Sequence, residues 1–327
     1  MRIRVSITGA AGFIGSHLVD ALLESGRYEV IAIDDLSMGS LDNIKHHIGN
    51  SSFKFHRIDV RDTVALTTCC EGSDIIVHLA AFKIPRYGNA LKTLDVNSKG
   101  MWNVLEVARK NSSEVVSAST SDVYGKSKKL PFSESEDPLL GPSTSERWSY
   151  AVSKLFDEHL CLAYQEAHGV PVTSLRFFGS YGPRCHLSWW SGPQSVFISA
   201  ALKNEEMEIH GDGKQTRSFT YISDTISGII AAVENKEARG HIFNLGSTFE
   251  ISILDLAKMI SRLVGNSPDG PKLKFIPYES FSRNYEDVSR RVPDISKARD
   301  ILGFQPTVSL EEGLEKTIKW QKEVMGL

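Results

Sequence analysis

Gly9-Ala10-Ala11-Gly12-Phe13-Ile14-Gly15 stands between a β-branched run at 3–8 and a helical pattern from Phe13 to Ser25. Glycines at this spacing, between a strand and a helix, restrict the fold more than any other segment of the chain, because that context builds a dinucleotide site. Gly9 allows the tight turn, Gly12 lets backbone approach a pyrophosphate, and Gly15 lets helix and strand pack closely. Phe13 and Ile14 open the helix, whose free N–H groups and dipole favour an anion. A second apolar run, Val30-Ile31-Ala32-Ile33, ends in Asp34. A carboxylate about 20 residues past the glycines can hold ribose hydroxyls and disfavours a 2′-phosphate, so NAD is expected rather than NADP. The competing readings are a purely structural turn for the glycines and a helix cap for Asp34.

Further strand patterns at 53–58, 74–79, 114–119 and 171–177 accompany helical patterns at 92–110 and 148–168. Alternating strands and helices imply a parallel sheet covered on both faces, and right-handed crossovers make it a Rossmann-like, doubly wound α/β fold. After Gly179 the composition changes, with Pro, Cys, His and two adjacent tryptophans within 182–193. The expected division is an NAD-binding Rossmann domain at 1–180 and a smaller C-terminal substrate-binding α/β part at 181–327, with segments free to return to the first. The polar stretch 126–145 reads as a loop over the mouth of the site, or as plain surface.

Composition narrows the function by exclusion. A net charge of −3 over 327 residues argues against nucleic acid as a partner. No apolar run approaches the roughly 20 residues a membrane span needs, and the first residues read as a strand rather than a signal peptide. Four cysteines form no framework, and no Cys or His spacing suggests zinc. A cytoplasmic, metal-free protein is expected.

Tyr150 and Lys154 lie four residues apart within the helical pattern at 148–168, on one helix face. An ammonium beside a phenol favours phenolate, which can take a proton from a sugar hydroxyl while hydride leaves the same carbon for a nicotinamide. Alone, the spacing is equally that of an ordinary helix face. Its place downstream of a dinucleotide motif makes it a candidate pair.

The glycine spacing, with Thr8 before it, resembles the extended short-chain dehydrogenase/reductase family, and more narrowly its NAD-dependent nucleotide-sugar epimerases and dehydratases. Asp59-Val60, His78-Leu79-Ala80-Ala81-Phe82-Lys83, Asp95-Val96-Asn97, Ser119-Thr120-Ser121-Asp122-Val123-Tyr124-Gly125 and Gly211 to Asp224 carry the resemblance in order along the chain. It implies that Asp59 and Val60 meet the adenine, and that Leu79, Ala80 and Ala81 line the cofactor. Lys83 would meet the nicotinamide ribose, with Asn97 behind the active site. Ser121 would hold the sugar O4, with Tyr150 as base and Lys154 lowering its pKa while binding the ribose. Arg184 and Arg217 are implied on the nucleotide side, Arg217 at the pyrophosphate. Gly179 departs from the resemblance, because an asparagine that contacts the substrate diphosphate usually stands there.

In that family a 4-keto sugar can be epimerised, dehydrated or, if C6 is a carboxylate, decarboxylated. Thr120-Ser121-Asp122 and the segment Asp287 to Lys297 resemble UDP-glucuronic acid decarboxylases, as do Arg147-Trp148 and Tyr285. A UDP-linked substrate and decarboxylation are therefore the leading expectation, with UDP-sugar 4-epimerisation and then 4,6-dehydration behind it. An NAD-binding scaffold without chemistry is the non-enzyme alternative. Asp122 offers either a catalytic carboxylate or a turn cap. Arg291 suits a uronate carboxylate, proton donation or a pyrophosphate equally well. Trp189 and Trp190 suit stacking on the base or sugar, or core packing. The resemblance also implies a homodimer joined through 92–110 and 148–168, unless Met101, Val104, Leu105, Leu155, Leu160 and Leu162 face the sheet.

Overall fold

The computed structural model describes residues 2–83, 89–265, 270–280 and 287–327. In chain order the elements begin β1 (Ile3–Thr8), α1 (Phe13–Glu24), β2 (Tyr28–Ile33), β3 (Phe53–His56), α2 (Thr63–Cys69), β4 (Ile75–His78), α3 (Ala90–Asn111) and β5 (Glu114–Thr120). They continue with α4 (Ser149–His168), β6 (Val172–Phe177), β7 (Ser180–Tyr181), α5 (Pro193–Leu202), β8 (Met207–His210), β9 (Thr216–Ser218), β10 (Thr220–Tyr221) and α6 (Ile222–Glu234). The last are β11 (His241–Leu245), β12 (Glu250–Ser252), α7 (Ile253–Val264), β13 (Leu273–Ile276), α8 (Ser296–Leu302) and α9 (Leu310–Met325).

Seven strands form one parallel sheet in the order β11-β6-β5-β4-β1-β2-β3. The inner strands are buried almost throughout: Val5 and Ile7 of β1, Ala32 and Ile33 of β2 and Ile76 and Val77 of β4 are fully buried. That is what a sheet covered on both faces requires. The expected doubly wound architecture is present, and β11 adds a strand from beyond residue 181 to the sheet. Strand order reverses between β1 and β4, the point where such sheets leave a crevice beyond their carboxyl ends.

Local chemistry sets the ends of the long helices. The Asn89 side chain accepts from Lys92 N at the start of α3, and Ser112 in the left-handed region closes it. Gly169, at φ +70°, ends α4. Gly15 answers to tertiary packing: a Cβ there would stand 2.1 Å from Gly9 O, so α1 approaches β1 more closely than any side chain permits.

Two expectations change here. Met101, Val104 and Leu105 are fully buried and belong to the core between α3, α4 and the sheet. The outward apolar residues of these helices are Leu91, Leu94, Trp102, Val152, Phe156 and, of the expected positions, Leu162. The stretch 126–145 does not line the crevice. Phe132, fully buried, stacks on Tyr124, and its backbone exchanges hydrogen bonds with Val292 and Asp294, which ties this segment to the C-terminal part.

Candidate active site

One large cleft runs along the carboxyl ends of the sheet. The β1–α1 turn supplies Gly9, Gly12, Phe13, Ile14 and Gly15 to its wall. Gly12 caps α1 without a side-chain bond, so the first N–H groups of the helix face the cleft unscreened, as a pyrophosphate would need. Asp34 ends β2 with Oδ2 accepting from Ala11 N at 3.0 Å and Oδ1 from Leu36 N at 2.8 Å. Burial raises its pKa despite these bonds. Each oxygen keeps a second lone pair, enough to accept from ribose hydroxyls. Asp59, Val60, Leu79, Ala80, Ala81 and Lys83 complete this half of the lining. The donor set fits NAD, with a carboxylate where a 2′-phosphate would be repelled.

Asn97 sits one layer behind. It is fully buried, accepts from Phe82 N at 2.8 Å and donates to Ser153 Oγ at 2.9 Å. It therefore fixes the backbone after β4 rather than lining the cleft.

Tyr150 and Lys154 project from α4 into the cleft beside Ser121 and Asp122 at the end of β5. The expected easy ionisation of Tyr150 meets an opposing environment. Burial, then the charges of Asp122 and Asp157, push its phenol above its ordinary value. Lys154, 1% exposed, donates instead to Asp157 Oδ2 at 3.2 Å. Sequence spacing put the ammonium on the right face, and the carboxylate that shares it, Asp157, stands one turn further along α4.

Asp122 is more than a turn cap. Its Oδ1 accepts from Arg147 Nη2 at 3.0 Å and pairs with Arg291 Nη2 at 2.8 Å. Burial would raise its pKa, but Arg291 and Arg147 outweigh it and hold the carboxyl well below its ordinary value. Arg291 Nη1 lies 3.5 Å from Ser121 Oγ. Its neighbour Arg290 turns outward to Glu250.

Arg217 lines the other end of the cleft, where its Nη2 donates to Asp287 Oδ1 at 2.8 Å. Arg184 does not line it. Its guanidinium is drawn to Asp20 of α1, 2.7 Å away, whose other oxygen is shared by His46 and His47. These three could ligate a cation, but Arg184 already supplies the countercharge. Tyr285 falls outside the described residues. Trp189 stacks on His210 at 4.0 Å, and Trp190 meets Phe82 edge-on at 5.2 Å; both still line the cleft.

Sequence reasoning gave no role of their own to Thr120, which hydrogen-bonds the Tyr150 side chain, to Asp157 or to Asp287. A carboxylate one turn beyond Lys154 on the same helix face was the available signal for Asp157. None marked Asp287 as the partner of Arg217.

Gly179 has a tertiary cause. It adopts φ +55°, and a Cβ would stand 2.3 Å from Ser218 O. The chain between β6 and β7 thus passes against β9 too closely for a side chain.

The fold and this cleft define a dinucleotide-dependent enzyme of the extended short-chain dehydrogenase/reductase class, with a Tyr–Lys pair at the carboxyl end of the sheet. The sequence matches the GDP-mannose 4,6 dehydratase family over residues 7–317, and the chain belongs to that family of NAD-dependent nucleotide-sugar enzymes. It is 38% identical to a UDP-N-acetyl-alpha-D-glucosaminuronate decarboxylase of Bacillus cytotoxicus, over 99% of both chains. It is 37% identical to UDP-glucuronic acid decarboxylase 1 of Xenopus tropicalis, over 98% of this chain and 72% of the relative. Among solved structures it resembles UDP-glucuronic acid 4-epimerase of Bacillus cereus, bound to UDP-glucuronic acid and NAD, with a TM-score of 0.88 and 33% identity over 98% of this chain and 100% of that one.

Proposed function

We propose that the protein decarboxylates a UDP-linked hexuronic acid, UDP-glucuronic acid foremost, through a 4-keto intermediate. The observation that carries this reading is the pair Arg147 and Arg291 converging on Asp122 beside Ser121. Two cations against one anion leave a net positive charge in a nearly buried site, which attracts a second carboxylate.

Bound NAD supplies the hydride acceptor, and later the donor, at sugar C4. Tyr150, whose phenolate the Lys154 ammonium favours against burial and the neighbouring carboxylates, takes the O4 proton, and Ser121 donates to the forming ketone oxygen. The ketone makes the C6 carboxylate a β-keto acid. Its C5–C6 bond breaks, carbon dioxide leaves, and the electron pair passes into the C4–C5 enolate until C5 takes a proton. Arg291 and Arg147 orient the carboxylate. Dehydration would need a base for the C5 proton. Asp122, locked between arginines with its pKa depressed, is a poor base, whereas decarboxylation asks for none there.

Mass spectrometry of products from UDP-glucuronic acid and UDP-N-acetylglucosaminuronic acid tests the reading. A product lighter by carbon dioxide supports it, while one of unchanged mass and new retention time replaces it with 4-epimerisation. Tyr150→Phe should lower kcat by roughly 10²–10⁴-fold, the range for loss of a general base.

We also infer a homodimer joined through α3 and α4, because Leu94, Trp102, Val152, Phe156 and Leu162 leave apolar surface on those helices. Light scattering would read a dimer for the native chain and a monomer for Phe156→Glu. A cytoplasmic location is inferred from four cysteines that are free thiols, as a reducing compartment keeps them.

A further inference from the structure

Tyr150, Lys154 and Asp157 occupy successive turns of one α4 face, and all three are buried. Lys154 and Asp157 form a closed pair with side-chain exposures of 1% and 3%. Asp157 Oδ1 has no hydrogen-bond partner among the described residues. Neighbouring cations are committed elsewhere: Arg176 of β6 donates twice to Glu158, at 2.8 and 2.7 Å, and Glu158 also accepts from Ser119. A lone buried carboxylate beside the lysine of the reacting pair costs desolvation energy without serving the fold through any other bond.

We propose that Asp157 is a positioning residue for the Tyr150–Lys154 pair, anchoring the ammonium along α4 and offsetting part of the positive charge it presents to the phenol. The inference rests on Tyr150 being the base. Its consequence is a proton-linked control. Ionised Asp157 opposes phenolate formation directly through its own charge on Tyr150. Protonated Asp157 leaves the full ammonium charge facing the phenol.

Lys154, Glu158, Tyr150 and Cys161 of α4 interact with it by charge, while His78 on β4 feels Lys154 and Arg176 on β6 pairs with Glu158. Of these, burial is the largest influence on Asp157, raising its carboxyl to about 6 against the pull of Lys154.

Carbon-13 NMR of Asp-labelled, ligand-free protein tests this without any turnover, with Asp157→Asn identifying the resonance by its loss. The carboxyl should titrate near 6, and Lys154→Met should move that midpoint upward. A midpoint in the ordinary aspartate range of about 4, or one indifferent to Lys154→Met, overturns the proposal. If Asp157→Asn does not fold, Asp157→Glu identifies the resonance by its loss from the Asp-labelled spectrum.

In the NAD-loaded enzyme, Asp157→Asn keeps an acceptor for Lys154 but removes the charge. The acid limb of kcat should move to lower pH by about one unit, as expected for loss of a nearby like charge, with KM within twofold. An unmoved or raised limb rejects the electrostatic role. Absence of turnover in the wild type would instead reject the proposed reaction and leave the NMR result standing.

Discussion

The Arg291 guanidinium stands 2.8 Å from Asp122 Oδ1, joining the end of β5 to the segment just before α8. Arg147 Nη2 shares that oxygen at 3.0 Å. Asp122→Asn would leave two nearly buried guanidinium groups without their counter-ion. Removing one member of a buried ion pair costs about 3–5 kcal/mol, so denaturant unfolding should show a loss of that order. UDP-glucuronic acid should recover more stability in the variant than in the wild type, because its carboxylate takes the vacated place. The depressed carboxyl also gives a sign for pH. Its contribution is complete above the unfolded value of about 4 and falls as acid approaches the lower folded value.

Arg291→Gln separates recognition of the carboxylate from recognition of the nucleotide. Charge-assisted hydrogen bonds are worth about 1.5–3 kcal/mol, so affinity for UDP-glucuronic acid should fall roughly 10- to 100-fold. Affinity for UDP-glucose, which lacks the carboxylate, should stay within about threefold by calorimetry, the scatter of context effects on single contacts.

Acid stability should carry a signature of His78. Burial, reinforced by the Lys154 charge, pushes its imidazole down to about 3, and its Nδ1 lies 2.7 Å from Thr8 Oγ1. The folded state keeps the ring neutral while the unfolded chain protonates near 6.5. Stability from this site is complete above 6.5 and declines as pH falls toward 3, by up to about 1.4 kcal/mol per pH unit. Unfolding free energies between pH 7 and 4 should decline less steeply for His78→Gln.

Gly179→Ala should destabilise by about 1–3 kcal/mol or more, from strain at positive φ and the clash with Ser218 O. Gly179→Asn should do the same and should not tighten UDP binding, because the backbone of β9 occupies the space a side chain needs. Thermal melts with and without UDP would separate the two effects.

Much of the architecture is local, and so was legible. Strand runs such as Val30–Ile33, the glycine turn before α1 and the four-residue step from Tyr150 to Lys154 depend on periodicity and backbone freedom within a few residues. Those local preferences mark the strands, the dinucleotide turn and the Tyr–Lys face, and the alternation of strands with helices implies the doubly wound sheet.

Tertiary structure decided which charges meet. Arg184 left the expected site for Asp20, while Arg217 found Asp287, and Arg147 and Arg291 found Asp122. The pKa of Tyr150 moves opposite to the expected direction because desolvation and the charges of Asp122 and Asp157 outweigh the spacing to Lys154. Outward faces of α3 and α4 likewise depended on which residues the sheet had already claimed. Pairing and burial join residues far apart in the chain, and no spacing along a sequence encodes the dielectric in which they meet.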